Sequence, residues 1–250
     1  MLNTRDQIIH HLKQLHMPTL RGCYEQMAEQ ARKESFSYEQ YLLELIKLEC
    51  EGRRENRIDR NLRASKLPPS KTFDNFDKNR LPARIVTHLN VLTDGSFLSR
   101  SENVLAFGNP GSGKTHLLCA IGHALIEQDK RVLFISCSQL EQDLLIAQRD
   151  LTMAKRLKNL SRFDAVLIDY IGKVQHSRKE IEVRCTFMAD RYENGSLMIT
   201  SNLPISKWEQ IFKDPMTAAA AIDRLVHHSI VLELNLPSYR LEHSKKDKKE

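Results

Sequence analysis

The run Gly108-Asn109-Pro110-Gly111-Ser112-Gly113-Lys114-Thr115 fits GxxxxGK[ST] at every position. That spacing answers one chemical need, the holding of a chain of phosphates. Glycines let the backbone turn successive N–H groups inward around the β and γ phosphates of a nucleotide. A helix starting near Gly113 adds the partial positive charge of its N-terminus. Lys114 reaches the phosphates as a point charge, and the Thr115 hydroxyl coordinates Mg²⁺. This chemistry also calls for an acid at the end of another strand, and Ala165-Val166-Leu167-Ile168-Asp169 ends in one. Asp169 is expected to hold Mg²⁺ through water.

Further polar groups sit where apolar runs end. Asn202 follows Leu197-Met198-Ile199-Thr200-Ser201; an amide there can bridge the γ-phosphate and an attacking water, or simply occupy a loop. Arg224, before the last apolar run, is either a surface charge beside Asp223 or is offered to a nucleotide in the next subunit. The residue after Asp169 is Tyr170. In phosphate-loop hydrolases with an additional strand between loop and acid, this position commonly carries a second acid that activates water. A phenol of pKa about 10 is a poor base at neutral pH, although it can position water, so slow hydrolysis or none is expected.

Other chemistries fit less well. Adjacent histidines, His10/His11 and His227/His228, diverge by about 100° on a helix and do not converge on one metal. Asp169-Tyr170-Ile171-Gly172 happens to fit the DxxG of GTPases, but no NKxD base-reading motif accompanies it.

The elements that must position these groups are legible as texture. Apolar runs at 104–107, 132–136, 165–169, 197–201 and 230–234 alternate with amphipathic stretches. Runs apolar on both faces and separated by helices predict βαβ units and a parallel sheet covered on both sides. Ser138 with Glu141, Ser177 with Glu180 and Ser206 with Glu209 have the spacing of helix-starting capping boxes.

Residues 1–66 read instead as helix, broken singly at Pro18 and Gly22. The last helix carries Arg53, Arg54, Arg57, Arg60, Arg63 and Lys66. Steps of three and four put Arg53, Arg57 and Arg60 on one side, which suits a solvated face laced with ion pairs or a stripe that tracks DNA phosphates. Adjacent prolines in Leu67-Pro68-Pro69-Ser70 mark a boundary. The expected division is a helical domain over 1–66, a linker over 67–80, and an α/β domain over 81–250 with a charged tail.

Across 250 residues, 41% hydrophobic and 28% charged, the composition is globular, and the formal net charge of +6 suits an acidic partner such as nucleic acid. No apolar stretch has the length of a membrane span or the form of a secretion signal. The five cysteines form no CxxC pair and read as reduced thiols of a cytoplasmic protein.

The stretches GNPGSGKTHL, ITSNLPISKWEQIFKDPMTAAAAIDRLVHHS and LELNLPSYR resemble the IstB-like ATP-binding proteins, helper ATPases of insertion-sequence transposition related to DnaC-type helicase loaders. The resemblance covers nearly the whole chain. It implies an AAA+ fold with sheet order 5-1-4-3-2, without a helical lid given how soon the chain ends after Leu234. It implies ATP and Mg²⁺ as cofactors, held by residues 108–115 together with His116. It gives Asn202 a sensor role, Arg224 an arginine-finger role and Arg240 a second sensor role. The implied partners are double-stranded DNA, a transposase and further copies of the chain, with Arg224 acting in trans; a helicase loader has the same ATPase core. At Tyr170 the sequence departs from the family's LIDD pattern.

Overall fold

The computed structural model describes residues 3–169, 177–192, 194–210 and 225–239. Tyr170, Arg224 and Arg240 lie outside the described residues. The chain divides into two compact units, Met1–Arg60 and Asn61–Glu250.

In the first unit, α1 (Thr4–Gln14) starts where the Asn3 side chain accepts the Asp6 N–H. Proline opens α2 (Pro18–Glu34), where its missing N–H costs nothing. The break expected at Gly22 does not occur, because Gly22 lies inside α2, where glycine lowers helix stability by only about 1 kcal/mol. The second break falls at Ser35, in the left-handed region at φ 56°. Helix α3 (Tyr38–Ser65) then begins with a reciprocal cap in which Gln40 N donates to Ser37 Oγ and Ser37 N donates to Gln40 Oε1. Buried Glu49 ties the helices together by accepting from Leu20 N at 3.0 Å and Arg53 Nε at 2.9 Å. Burial alone would raise the Glu49 carboxyl, but these two donors outweigh it and hold the pKa below the usual value.

In the second unit, α4 (Ala83–Thr93) and α5 (Ser96–Ser99) precede β1 (Asn103–Gly108). There follow α6 (Lys114–Glu127), β2 (Val132–Ser136), α7 (Cys137–Arg149), α8 (Met153–Leu160), β3 (Ala165–Asp169), α9 (Arg178–Arg191), β4 (Ser196–Ser201) and β5 (Ser229–Leu234). Among the described residues the strands form one parallel sheet in the order β2-β3-β4-β1-β5, the expected order read from the other edge. Each expected apolar run is a strand, lengthened at one or both ends in β1, β4 and β5. Val104, Leu105, Ala106, Val166, Leu167 and Ile168 are fully buried, which is why these runs do not alternate with polar residues.

The capping box at Ser177 and Glu180 forms as expected. The one at Ser138 does not, because β2 runs to Ser136 and Ser136 itself caps α7 through Gln139 N. Glu141 is thereby turned into the interior, 2.7 Å from buried Arg184 of α9. Ser206 lies within a 3₁₀ segment, Ile205–Gln210, that starts one residue earlier. At the end of the sheet away from the phosphate loop, the Arg191 guanidinium donates to the carbonyls of Leu160, Phe163, Asp164 and Ser196. These bonds lock the starts of β3 and β4. No helix among the described residues is long and apolar enough to cross a membrane.

Candidate functional site

At the opposite end of the sheet β1 runs out at Gly108, and α6 begins at Lys114 with Gly113 as its cap. Gly108 at φ 145° and Gly111 at φ 80° take backbone conformations that L side chains rarely adopt. A Cβ at Gly108 would strike the Leu234 carbonyl, and one at Gly111 the Ser238 side chain, so the loop is also seated against the chain that leaves β5. Lys114 folds back across the loop and donates from Nζ to the carbonyls of Gly108 at 2.9 Å and Asn109 at 2.8 Å. Burial lowers its pKa from the ordinary lysine value, against the opposing pull of Asp169.

Asp169, at the end of β3, meets the loop directly. Its Oδ1 accepts from Thr115 Oγ1 at 2.7 Å and from Thr200 Oγ1 at 2.8 Å. One oxygen therefore gathers a hydroxyl from the first turn of α6 and another from the neighbouring strand. Two residues beyond Thr200, the turn after β4 is fixed by Ser201, whose Oγ accepts from Leu203 N and from the indole N–H of buried Trp208. This places Asn202 at the strand end, beside the point where β1 enters the loop, since Phe107 pairs with Ser201. The Asn202 Oδ1 is buried without a hydrogen-bond partner among the described residues, and so is Ser112 Oγ in the loop itself. A buried polar atom left so costs about 1–3 kcal/mol; both atoms fit a ligand that brings its own donors, water or phosphate oxygens.

A cleft of about 250 Å³ opens beside the loop, lined by Gly111 to His116 and by Lys71, Asn75, Phe76, Asp77, Arg80, Leu236 and Tyr239. Residues 71–80 belong to the stretch that reads as a linker in the sequence. His116 holds that wall in place, with Nε2 2.9 Å from the Thr72 carbonyl and its ring edge-on to Phe76 at 5.1 Å. Arg80 stacks on Tyr239 at 5.1 Å and donates to the Pro237 carbonyl, while Tyr239 N donates to the Gly111 carbonyl. Aromatic faces beside a phosphate loop suit a flat base. The hydroxyl and carboxylate oxygens of Thr115 and Asp169 are the hard donors that Mg²⁺ takes. The residues present thus fit a nucleotide and its metal.

Of the sequence-predicted site residues, the structure brings together the loop, Thr115 and Asp169, with Asn202 at the adjacent strand end. Phe76 and Arg80 lie in no motif, and although Thr200 and Tyr239 fall inside stretches that carry the resemblance, their part in the site was not legible because their contacts join distant parts of the chain. Of the basic residues, Arg53, Arg54, Arg57 and Arg60 are exposed on α3 in the first unit, and Arg63 and Lys66 are exposed in the second. Arg53 also donates to Glu49 and to the His16 carbonyl.

The family described as IstB-like ATP binding protein matches residues 10–247. An insertion-sequence ATP-binding protein of Sinorhizobium fredii is 38% identical over 230 residues, which cover 92% of this chain and 77% of that protein. An insertion sequence IS21 ATP-binding protein of Pseudomonas aeruginosa is 33% identical, covering 94% and 89%. Among solved structures, the DnaC helicase loader superposes with a TM-score of 0.57 at 18% identity, over 66% of this chain and 97% of that one. AMPPCP-bound DnaA from Aquifex aeolicus superposes with a TM-score of 0.57 at 20% identity, over 74% of this chain and 56% of that one. These likenesses show the AAA+ phosphate-loop fold. A match that runs over nearly the whole chain, with relatives at these identities, makes the chain a member of the IstB-like ATP binding protein family.

Proposed function

We propose that the protein is an ATP-dependent, DNA-binding helper of transposition, which assembles on double-stranded DNA in its ATP state and recruits or activates a transposase. The observation that carries the ATP part is the meeting of the phosphate loop with Asp169 through Thr115, beside an Asn202 amide oxygen left without a partner. Lys114 exchanges the Gly108 and Asn109 carbonyls for phosphate oxygens. Asn202 orients water at the γ-phosphate, and Phe76 and Tyr239 flank the base. Thr115 and Asp169 would hold Mg²⁺, which would supply positive charge against the phosphates.

Steady-state ATP turnover, measured with and without double-stranded DNA, tests this. Lys114→Ala is expected to lower turnover about 10²–10³-fold, the scale for removing one donor aimed at developing charge. Tyr170 favours a second reading, an ATP-gated assembly module with negligible hydrolysis. No turnover in the natural chain, restored by Tyr170→Asp, would establish that reading in place of the first.

The insertion-sequence relatives and the exposed arginines of α3 support the DNA part. Charge reversal at Arg57 and Arg60 together is expected to weaken ATP-dependent DNA affinity and to reduce the slope of log affinity against log salt by about 2, one for each phosphate that is no longer neutralised. An unchanged slope would move the DNA surface elsewhere.

A further inference from the structure

We propose that Thr200 is a positioning residue for the metal-organising carboxylate, and that its hydroxyl aims Asp169 at Mg²⁺. The inference rests on the reading of the cleft as an ATP site. A free aspartate carboxylate turns easily about its last torsion, whose preference is broad. Here Oδ1 is pinned from two directions, by Thr115 at 2.7 Å and Thr200 at 2.8 Å. The two anchors differ in kind. Thr115 sits in the first turn of α6, beside the phosphate loop, and its oxygen is itself the expected metal ligand. Thr200 lies on β4, 2% exposed, and the register that pairs Ile168 with Ile199 sets it opposite Asp169. Its bond to Asp169 comes from a strand packed on both faces and holds whether or not the loop moves.

Tyr170 gives this anchor greater weight. At the end of β3 Asp169 is followed by Tyr170 rather than by a second acid, so the aim of that one carboxylate decides how the metal is held. Thr200 also stands two residues before Asn202 on the same strand end. Partners of this kind, which orient a metal ligand without touching the metal, change metal affinity about 10–100-fold when removed.

The test titrates Mg²⁺ against binding of a fluorescent, non-hydrolysable ATP analogue to the full chain, with Trp208 fluorescence reporting folding of each variant. Thr200→Val keeps the shape and deletes the hydroxyl; it is expected to raise the Mg²⁺ half-saturation about 10–100-fold while affinity without Mg²⁺ stays within about threefold. Thr200→Ser is expected to restore the natural titration. If Thr200→Val fails to fold, Thr200→Ala against Thr200→Ser makes the same comparison. A Mg²⁺ titration that Asp169→Asn shifts and Thr200→Val does not would overturn the proposal and leave the ATP site standing. Equal impairment by Ser and Val would also overturn it, since the methyl group and not the hydroxyl would then be at work. A titration that ignores Asp169→Asn would remove the metal site itself, and the proposal with it.

Discussion

Glu141→Ala is expected to lower the unfolding free energy of the second unit by about 3–5 kcal/mol, the cost of leaving a buried charge without its counter-charge. Arg184, on α9, is fully buried, and its guanidinium lies 2.7 Å from Glu141 on α7. Leu140 and Leu144 on α7 and Val183 and Phe187 on α9 are at most 1% exposed in one buried core, and Arg184 itself is 0% exposed, so water has little access to an abandoned guanidinium. Cys137 adds a thiol donor to the same carboxylate at 3.3 Å, and burial pushes that thiol's pKa up to about 12, which keeps it protonated and donating at neutral pH. Removing both charges at once, as Glu141→Leu with Arg184→Met, is expected to cost much less than the single alanine change, because no charge is then stranded. Urea unfolding followed by Trp208 reads both variants: the chain has one tryptophan, and it is buried against Phe107 in this unit. A loss below about 1 kcal/mol in Glu141→Ala would mean that Arg184 draws its stability from other partners.

That pair also shows where sequence reading stops. Glu141 looks like the third residue of a helix cap, because Ser138 stands three before it. Ser136 does the capping, and the shift of two residues carries Glu141 from the helix surface to the core. Both serines are polar at a strand-to-helix junction, and only the sheet register, in which Ser136 still pairs with Asp169, decides between them. The strands were legible because burial on both faces leaves each an unbroken apolar run. The phosphate loop was legible because its chemistry is contiguous. The Thr200 bond to Asp169 was not, since it joins residues whose separation is set by the spacing of β3 and β4 in the sheet. Residues 67–80 read as a linker because the adjacent prolines Pro68 and Pro69 and the turn formers after them disfavour helix; the contacts of His116 and Arg80 hold the later part of that stretch as a wall of the cleft.

Arg224→Ala is expected to reduce ATP turnover about 10³–10⁵-fold, the range for an arginine that stabilises charge at a transferring phosphoryl group. This corresponds to roughly 4–7 kcal/mol of barrier. We propose that Arg224 acts in trans, as the resemblance implies, and this makes a sharper claim than the loss itself. A head-to-tail interface gives each subunit two distinct halves, one supplying the nucleotide cradle and the other the arginine. Asp169→Asn is expected to spoil the cradle and leave its own arginine intact, whereas Arg224→Ala does the reverse. Either variant alone is then inactive. Mixed in equal amounts they form some junctions in which an intact cradle from the Arg224→Ala chain faces an intact arginine from the Asp169→Asn chain, about one junction in four for random order. Turnover is therefore expected to recover to about a quarter of the natural rate, and to vanish again on dilution as the assembly dissociates. An arginine acting within its own subunit allows no such recovery, because every mixed assembly still contains only chains that each lack one half. Full activity of Arg224→Ala alone would remove the residue from the reaction altogether.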